Sequence, residues 1–391
     1  MAVMTDASAV VPFRIDVPEE VLADLRTRLA NTRWPEAECV PADADTAELD
    51  WGQGMPLAYA RELARYWADE YDWRTCEAAL NRFDQFTTEI DGLNVHFIHQ
   101  RSPHADAMPL IITHGWPGSV VEFVKVVGAL TDPTAYGGRA EDAFHVVCPS
   151  LPGYGFSGKP TTRGWNVGRI ATAWETLMVR LGYTRYGAQG GDWGGAITAE
   201  MGRRVGHCAA IHTNFPIGSP TEAATTDPTD EDRAAFAGLN HYRQWDNGYF
   251  KQQATRPQTV GYGLVDSPVA QLAWIVEKFQ SWTDCDGHPE NALSRDEILD
   301  NVTLYWVTGT GASSARLYWE SMAAFGSSQR IELPTGVASF PKEIGPTPRS
   351  WCEGTYNITH WTTMPRGGHF AAFEQPELFV DDVRAFFSTV R

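Results

Sequence analysis

The residues best suited to chemistry form one short run, Gly190-Gly191-Asp192-Trp193-Gly194-Gly195. A Gly-x-nucleophile-x-Gly pattern marks a sharp strand-to-helix turn that lifts its central side chain above a sheet, and here that side chain is a carboxylate. Small flanking residues are required because such a turn is strained and crowded. A carboxylate in this place suits substitution at a saturated carbon. It forms an ester whose carbonyl water can attack, whereas a serine would leave an ether that nothing in the chain could cleave. No Gly-x-Ser-x-Gly occurs anywhere, so a serine nucleophile has no comparable turn to occupy.

Such an ester needs a base to activate water. Arg366-Gly367-Gly368-His369-Phe370 follows a strand-like stretch, Tyr356 to Trp361, and precedes a helical one, Pro376 to Phe387. His369 therefore falls on the loop after the last strand, and an imidazole titrating near neutrality suits general base work. Glu343, just past the strand-like Pro334 to Phe340, could hold His369 in the working tautomer and stabilise its imidazolium. Glu332 and Glu353 are rivals on position alone. His114-Gly115-Trp116-Pro117-Gly118 closes the apolar run Leu110 to Thr113. Its backbone N–H groups can join that of the residue after the nucleophile, so the expected oxyanion donors are the amides of Trp116 and Trp193.

The elements that must position these groups are readable from periodicity. The chain up to about Phe83 looks helical, with Pro18 opening an amphipathic stretch (Val21, Leu22, Leu25, Leu29), a Pro/Asp-rich loop at Pro35 to Asp50, and a second helix from Leu57 to Trp67. Phe86 to Ile90, Asp91-Gly92 and the alternating Leu93, Val95, Phe97 then give a hairpin signal. Strand and helix alternate afterwards: Leu110 to Thr113, a helix carrying Val120, Phe123, Val124, Val127 and Leu130, then His145 to Cys148. A helix carrying Ile170, Trp174, Leu177, Met178 and Leu181 follows, and Arg185 to Gln189, interrupted by Gly187, leads into the turn at Asp192. This spacing predicts right-handed crossovers and a parallel sheet with its site at the carboxyl ends of the strands. Alternation stops near Phe215-Pro216 and gives way to a Trp/Tyr-rich helical region. The expected class is α/β: an α/β-hydrolase fold with a mainly parallel sheet, an inserted helical cap domain and an N-terminal helical extension. The expected boundaries are 1–85 for the extension, 86–215 for the first part of the core, 216–330 for the cap and 331–391 for the second part.

Composition narrows the partners. The 391 residues are 43% hydrophobic and 20% charged, enough to bury a large core. A net charge of -18 would repel a phosphate backbone, so nucleic acid and anionic membrane surfaces are poor partners and a neutral small molecule is the better one. The six Cys lie far apart without a C-x-x-C pair, which predicts reduced cytoplasmic thiols rather than a zinc site or a disulfide framework. Neither a signal-like N-terminus nor a long apolar run is present, so an unprocessed protein without a membrane anchor is expected. Assembly as a homo-oligomer stays open.

Together these residues resemble the microsomal-type epoxide hydrolases, over nearly the whole chain. The His-Gly-Trp-Pro and Gly-Gly-Asp-Trp-Gly elements are joined by Pro334 to Glu343, similar to the family segment carrying the triad acid, and by Arg366 to Glu374, similar to the one carrying the histidine. The resemblance favours Glu343 over its rivals. Asn247-Gly248-Tyr249 and Ser314-Ala315-Arg316-Leu317-Tyr318 match the places where that family keeps its two ring-opening tyrosines, implying Tyr249 and Tyr318, with Tyr305 as the nearest competitor. Two phenols that stay protonated at pH 7 can donate to a developing alkoxide. Trp34-Pro35 and Asp50-Trp51-Gly52 resemble the family's N-terminal extension. The resemblance implies an epoxide hydrolase acting on a small lipophilic epoxide, with water as cosubstrate, no metal and no organic cofactor. A haloalkane dehalogenase would also use an Asp at this turn, and a non-catalytic small-molecule binding protein could share the fold. The paired tyrosines favour the epoxide. Which epoxide, which ring carbon, and whether the role is detoxification or a pathway step are not readable.

Overall fold

The computed structural model describes residues 8–41, 49–204, 206–322 and 329–391. Its nine-stranded sheet contains β1 (Val11–Phe13), β2 (Gln85–Ile90), β3 (Leu93–Gln100), β4 (Met108–Thr113), β5 (Phe144–Pro149), β6 (Tyr186–Gly190), β7 (Cys208–Thr213), β8 (Ile331–Ser339) and β9 (Tyr356–Thr363). Their spatial order is β1-β2-β3-β5-β4-β6-β7-β8-β9. The first four strands in that order pair antiparallel, and β5 to β9 pair parallel through β4. This is the α/β-hydrolase arrangement expected from the sequence. The hairpin turn forms where Asp91 and Gly92 both adopt positive φ, at 51° and 76°, as a tight two-residue connection requires.

Burial on both faces explains the unbroken apolar runs. Leu110, Ile111 and Ile112 of β4 and Val146, Val147 and Cys148 of β5 are fully buried, because crossover helices cover both sides of a parallel sheet. From β4 the chain crosses to β5 on one side, and from β5 it passes back over β4 to β6 on the other. The carboxyl end of β4 is thus the point where winding reverses and a crevice opens. The loop at Trp116 and the turn at Asp192 both lie there.

The N-terminal residues do not form helices alone. Val11–Phe13 pairs with β2 as an edge strand, a segment too short for its period to show. Helices Glu19–Ala30, Leu57–Asp69 and Trp73–Leu80 follow, and the part of the anticipated loop at 42–48 lies outside the described residues. The stretch read as one helix after β4 is divided into a 3-10 turn, Val120–Phe123, and a helix, Val127–Thr131. Its run of β-branched Val residues opposes continuous helix.

Between β7 and β8 run the cap helices, including Asp230–His241, Gly248–Thr255, Pro257–Asp266, Pro268–Trp282, Arg295–Thr308 and Gly311–Ser321. Helix Leu57–Asp69 buries Tyr59, Ala60, Leu63, Ala64 and Trp67 as one stripe and fastens to the cap by polar contacts. Trp67 Nε1 donates to Thr303 Oγ1 at 2.9 Å, and the Tyr59 hydroxyl donates to Glu290 Oε1 at 2.9 Å. Among the described residues no helix is long and apolar enough to cross a membrane.

Candidate active site

Asp192 is the first residue of helix Asp192–Arg203, directly after β6, and carries a φ of 50°. For a non-glycine residue this left-handed backbone is strained, and it persists because the surroundings over-determine it. A Cβ at Gly190 would lie 2.2 Å from the Gly194 carbonyl oxygen, and one at Gly194 would lie 1.9 Å from that of Thr113. Glycine at both positions is therefore what lets β6, the turn and β4 close together. The helix N-terminus places positive potential beneath the carboxylate. Asp192 Oδ1 accepts a hydrogen bond from the Trp116 amide at 2.8 Å, and Oδ2 lies 3.5 Å from His369 Nε2.

The structure brings His369 and Glu343 together: Nδ1 is 2.5 Å from Glu343 Oε1, and both side chains are buried. Glu332 and Glu353 are surface groups, 80% and 58% exposed, and reach other partners. Burial alone would lower the basicity of His369, but Glu343 on one side and Asp192 on the other outweigh it and hold the imidazole well above its usual range. The loop carrying His369 is clamped by Glu374, whose carboxylate accepts from the amides of Gly368, Phe370 and Asp284. The His369 amide itself donates to the carbonyl of Trp282 in the cap at 2.8 Å.

Tyr249 and Tyr318 come down from two cap helices onto the same spot. The Tyr249 ring stacks on Trp116 with centroids 5.0 Å apart and an interplanar angle of 7°, while Tyr318 stands edge-on to Trp193 at 4.7 Å and to Trp116 at 5.8 Å. Burial pushes both phenols well above their usual range, so both remain proton donors. Tyr305 is spent elsewhere: its hydroxyl donates to the Gly118 carbonyl at 2.8 Å. Asn301 on the same helix donates to the Pro117 carbonyl and accepts from Ser119. The cap helix thus grips the loop that presents the Trp116 amide.

Comparison with known proteins identifies the family. A family profile described as the epoxide hydrolase N terminus matches residues 10–123, and one described as the alpha/beta hydrolase fold matches residues 108–259. Epoxide hydrolase 1 of Sus scrofa is 36% identical, over 96% of this chain and 88% of that one. A Stigmatella aurantiaca protein, provisionally named an epoxide hydrolase, is 53% identical over 98% and 86%. The chain belongs to the epoxide hydrolase family. The solved epoxide hydrolase structure from Aspergillus niger superposes with a TM-score of 0.86 at 34% identity, covering 98% of this chain and 97% of that one.

In this epoxide hydrolase a cavity of about 290 Å³ lies between Asp192 and the cap, a size suited to a small ligand. Its walls are largely apolar, with Phe215, Pro216, Ile217, Leu239, Phe250 and Ile344 among them. Among the described residues no group of three His, Cys, Asp or Glu is placed to hold a metal. Several contributors escaped the sequence reading. The Tyr242 hydroxyl is 3.2 Å from that of Tyr249 and is carried by a π-helical turn, Tyr242–Asp246; its spacing of seven residues from Tyr249 was an available signal. Lys278 is buried with Nζ 4.7 Å from the Tyr249 ring centre and 2.6 Å from Asp246 Oδ1. Asp246 also accepts from the Trp282 indole. A lone lysine in the apolar helix Pro268–Trp282 was the corresponding clue.

Proposed function

We propose that this protein converts a small lipophilic epoxide and water into a vicinal diol through a covalent ester on Asp192. Support comes above all from one observation: a carboxylate at a strained turn, 3.5 Å from a buried imidazole, under two buried cap tyrosines. Asp192 Oδ2 attacks a ring carbon, the carbon–oxygen bond of the ring breaks, and Tyr249 and Tyr318 supply hydrogen bonds and a proton to the departing oxygen. Oδ1, already held by the Trp116 amide, becomes the ester carbonyl oxygen.

Alkylation removes the negative charge of Asp192, one of the two carboxylates that keep the proton on His369. The imidazole then gives up its proton, which restores the tyrosine that protonated the ring oxygen, and with Glu343 as its remaining partner it is a competent base for water. Water attacks the Asp192 carbonyl carbon and its proton passes to His369. The Trp116 and Trp193 amides stabilise the tetrahedral oxyanion, whose collapse breaks the bond between the carbonyl carbon and Oδ2; the imidazolium gives its proton to that oxygen, and the diol leaves with Oδ2 as its second hydroxyl.

Asp192→Ala is expected to abolish turnover. His369→Gln is expected to open the ring but retain the ester, seen as one substrate mass added to the peptide containing Asp192. Full turnover by the His369 variant, or halide release without diol from a haloalkane panel assayed alongside epoxides, would overturn the reading.

A further inference from the structure

The cap meets the core along a second seam, behind the helix that carries Tyr318. Helix Gly311–Ser321 turns Tyr318 toward the substrate cavity and Ser313, Arg316, Leu317 and Glu320 toward this seam, the spacing of one helical face. Those four residues, the loop at 152–165 after β5 and the start of helix Pro257–Asp266 border a cavity of about 670 Å³. It shares no lining residue with the substrate cavity, and its size suits a small organic molecule. The walls are preset, because Ser313 Oγ donates to the Gly153 carbonyl at 2.6 Å and the Tyr154 hydroxyl donates to the Ser314 carbonyl at 3.0 Å.

The lining runs against the charge of the chain. In a protein of net charge -18, Lys159, Arg163, Arg256 and Arg316 converge here, with Glu320 as the one carboxylate among the described lining residues. Glu320 Oε2 already accepts from the Gly164 amide at 2.9 Å. The guanidinium groups are partnered by neutral groups: Arg163 lies over the Trp319 ring at 5.0 Å, Arg256 donates to the Thr255 carbonyl at 2.8 Å, and Arg316 donates to Gln258 Oε1 at 3.2 Å. Burial and the Arg316 guanidinium hold the Lys159 amine below its usual value, the mark of like charges pressed together. Beside these charges Pro152, Pro257, Leu317 and Trp319 supply apolar surface.

We infer that this seam is a second ligand site, for an amphipathic organic anion whose acidic group is held by Arg163 and Arg316 and whose apolar body lies against Leu317 and Trp319. Guanidinium groups pair with carboxylate or sulfate oxygens through parallel N–H donors. A cleft with low-dielectric walls focuses the field of such charges even on an acidic protein. An occupant would touch Arg163 of the core loop and Arg316 of the cap, and so bridge the two. The site is separate from the chemistry at Asp192, so its ligand requires no epoxide ring.

The test is isothermal titration calorimetry of the full chain with 4-phenylbutyrate and with octyl sulfate, one aromatic carboxylate and one alkyl sulfate. Binding is expected for at least one of them. For that anion Arg163→Ala and Arg316→Ala should each weaken affinity about tenfold, and neither removes a buried core side chain. The matching uncharged alcohol, 4-phenylbutan-1-ol or octan-1-ol, should bind about tenfold more weakly than the anion, as should acetate or inorganic sulfate, which carry the charge without the body. Ile217→Trp, which narrows the substrate cavity, should leave the affinity unchanged. No binding of either anion at about 5 mM, wild-type affinity in both arginine variants, or an alcohol or inorganic ion that binds as well as the organic anion would overturn the inference. Loss of binding in Ile217→Trp would also overturn it, by placing the probe in the substrate cavity.

Discussion

Two carboxylates flank one imidazole, and in the proposed cycle only one of them is consumed. Alkylation of Asp192 removes its charge while Glu343 is left untouched, so under that proposal the basicity of His369 changes at the moment a base is needed. The expected consequence can be isolated without substrate. In Asp192→Asn, which carries the neutral amide in place of the ester, His369 should titrate at a lower pH than in the wild type, because a Coulombic partner and a hydrogen bond that both raise it are gone. A histidine-labelled NMR titration reads this directly, and an unchanged His369 midpoint would contradict the proposed timing. Because the shift in the wild type is upward, the protonated imidazole persists above the ordinary histidine range in the free enzyme, and the variant should lose that proton first as pH rises.

At the scale of elements, the helix Pro376–Phe387 fastens the far side of the sheet. Asp382 accepts from His212 of β7 and from His360 of β9, each at 2.8 Å. Burial alone would raise the Asp382 carboxyl, but these imidazoles outweigh it and bring it down to about 2. A depressed carboxylate stabilises the fold fully above its ordinary value of 3.8 and loses that contribution as pH falls through about 2. Asp382→Asn should therefore cost about 2–3 kcal/mol at neutral pH, measured by urea unfolding, with the gap to wild type shrinking in strong acid. A gap independent of pH would show that charge is not involved. The same helix explains why one strand was hard to read. Gly187 weakens β6 as a pattern, yet a Cβ there would meet the Phe387 ring at 2.3 Å, and one at Gly336 in β8 would meet Phe386 at 2.5 Å. Both glycines are packing choices visible only once the helix is in place. The turn at Asp192 and the loop at His369 were legible because local glycine chemistry marks them. Asn301 and Lys278 were not, because their importance lies in contacts to residues far away in sequence. β1 was missed because three residues display no period.

The whole molecule is a relay of dockings from the N-terminal helices through the cap to the catalytic loop. Trp67 bonds Thr303, and the helix bearing Thr303 holds Pro117 and Gly118 through Asn301 and Tyr305. Trp67→Ala should lower unfolding free energy by about 3–5 kcal/mol and also slow turnover, since the Trp116 amide loses its support. Denaturant unfolding together with steady-state kinetics checks both parts; a destabilised variant with unaltered turnover would show that the relay ends at the cap.

The cap is also tied to the base. The His369 amide bonds the Trp282 carbonyl, the Gly367 amide bonds Asp284, and the Asp284 amide bonds Glu374. A roof raised on a hinge would drag the imidazole out of register with the nucleophile on every visit. Substrate is then expected to pass beside the roof, along the cavity lining at the exposed Ile217 and the half-buried Leu239 and Ile344.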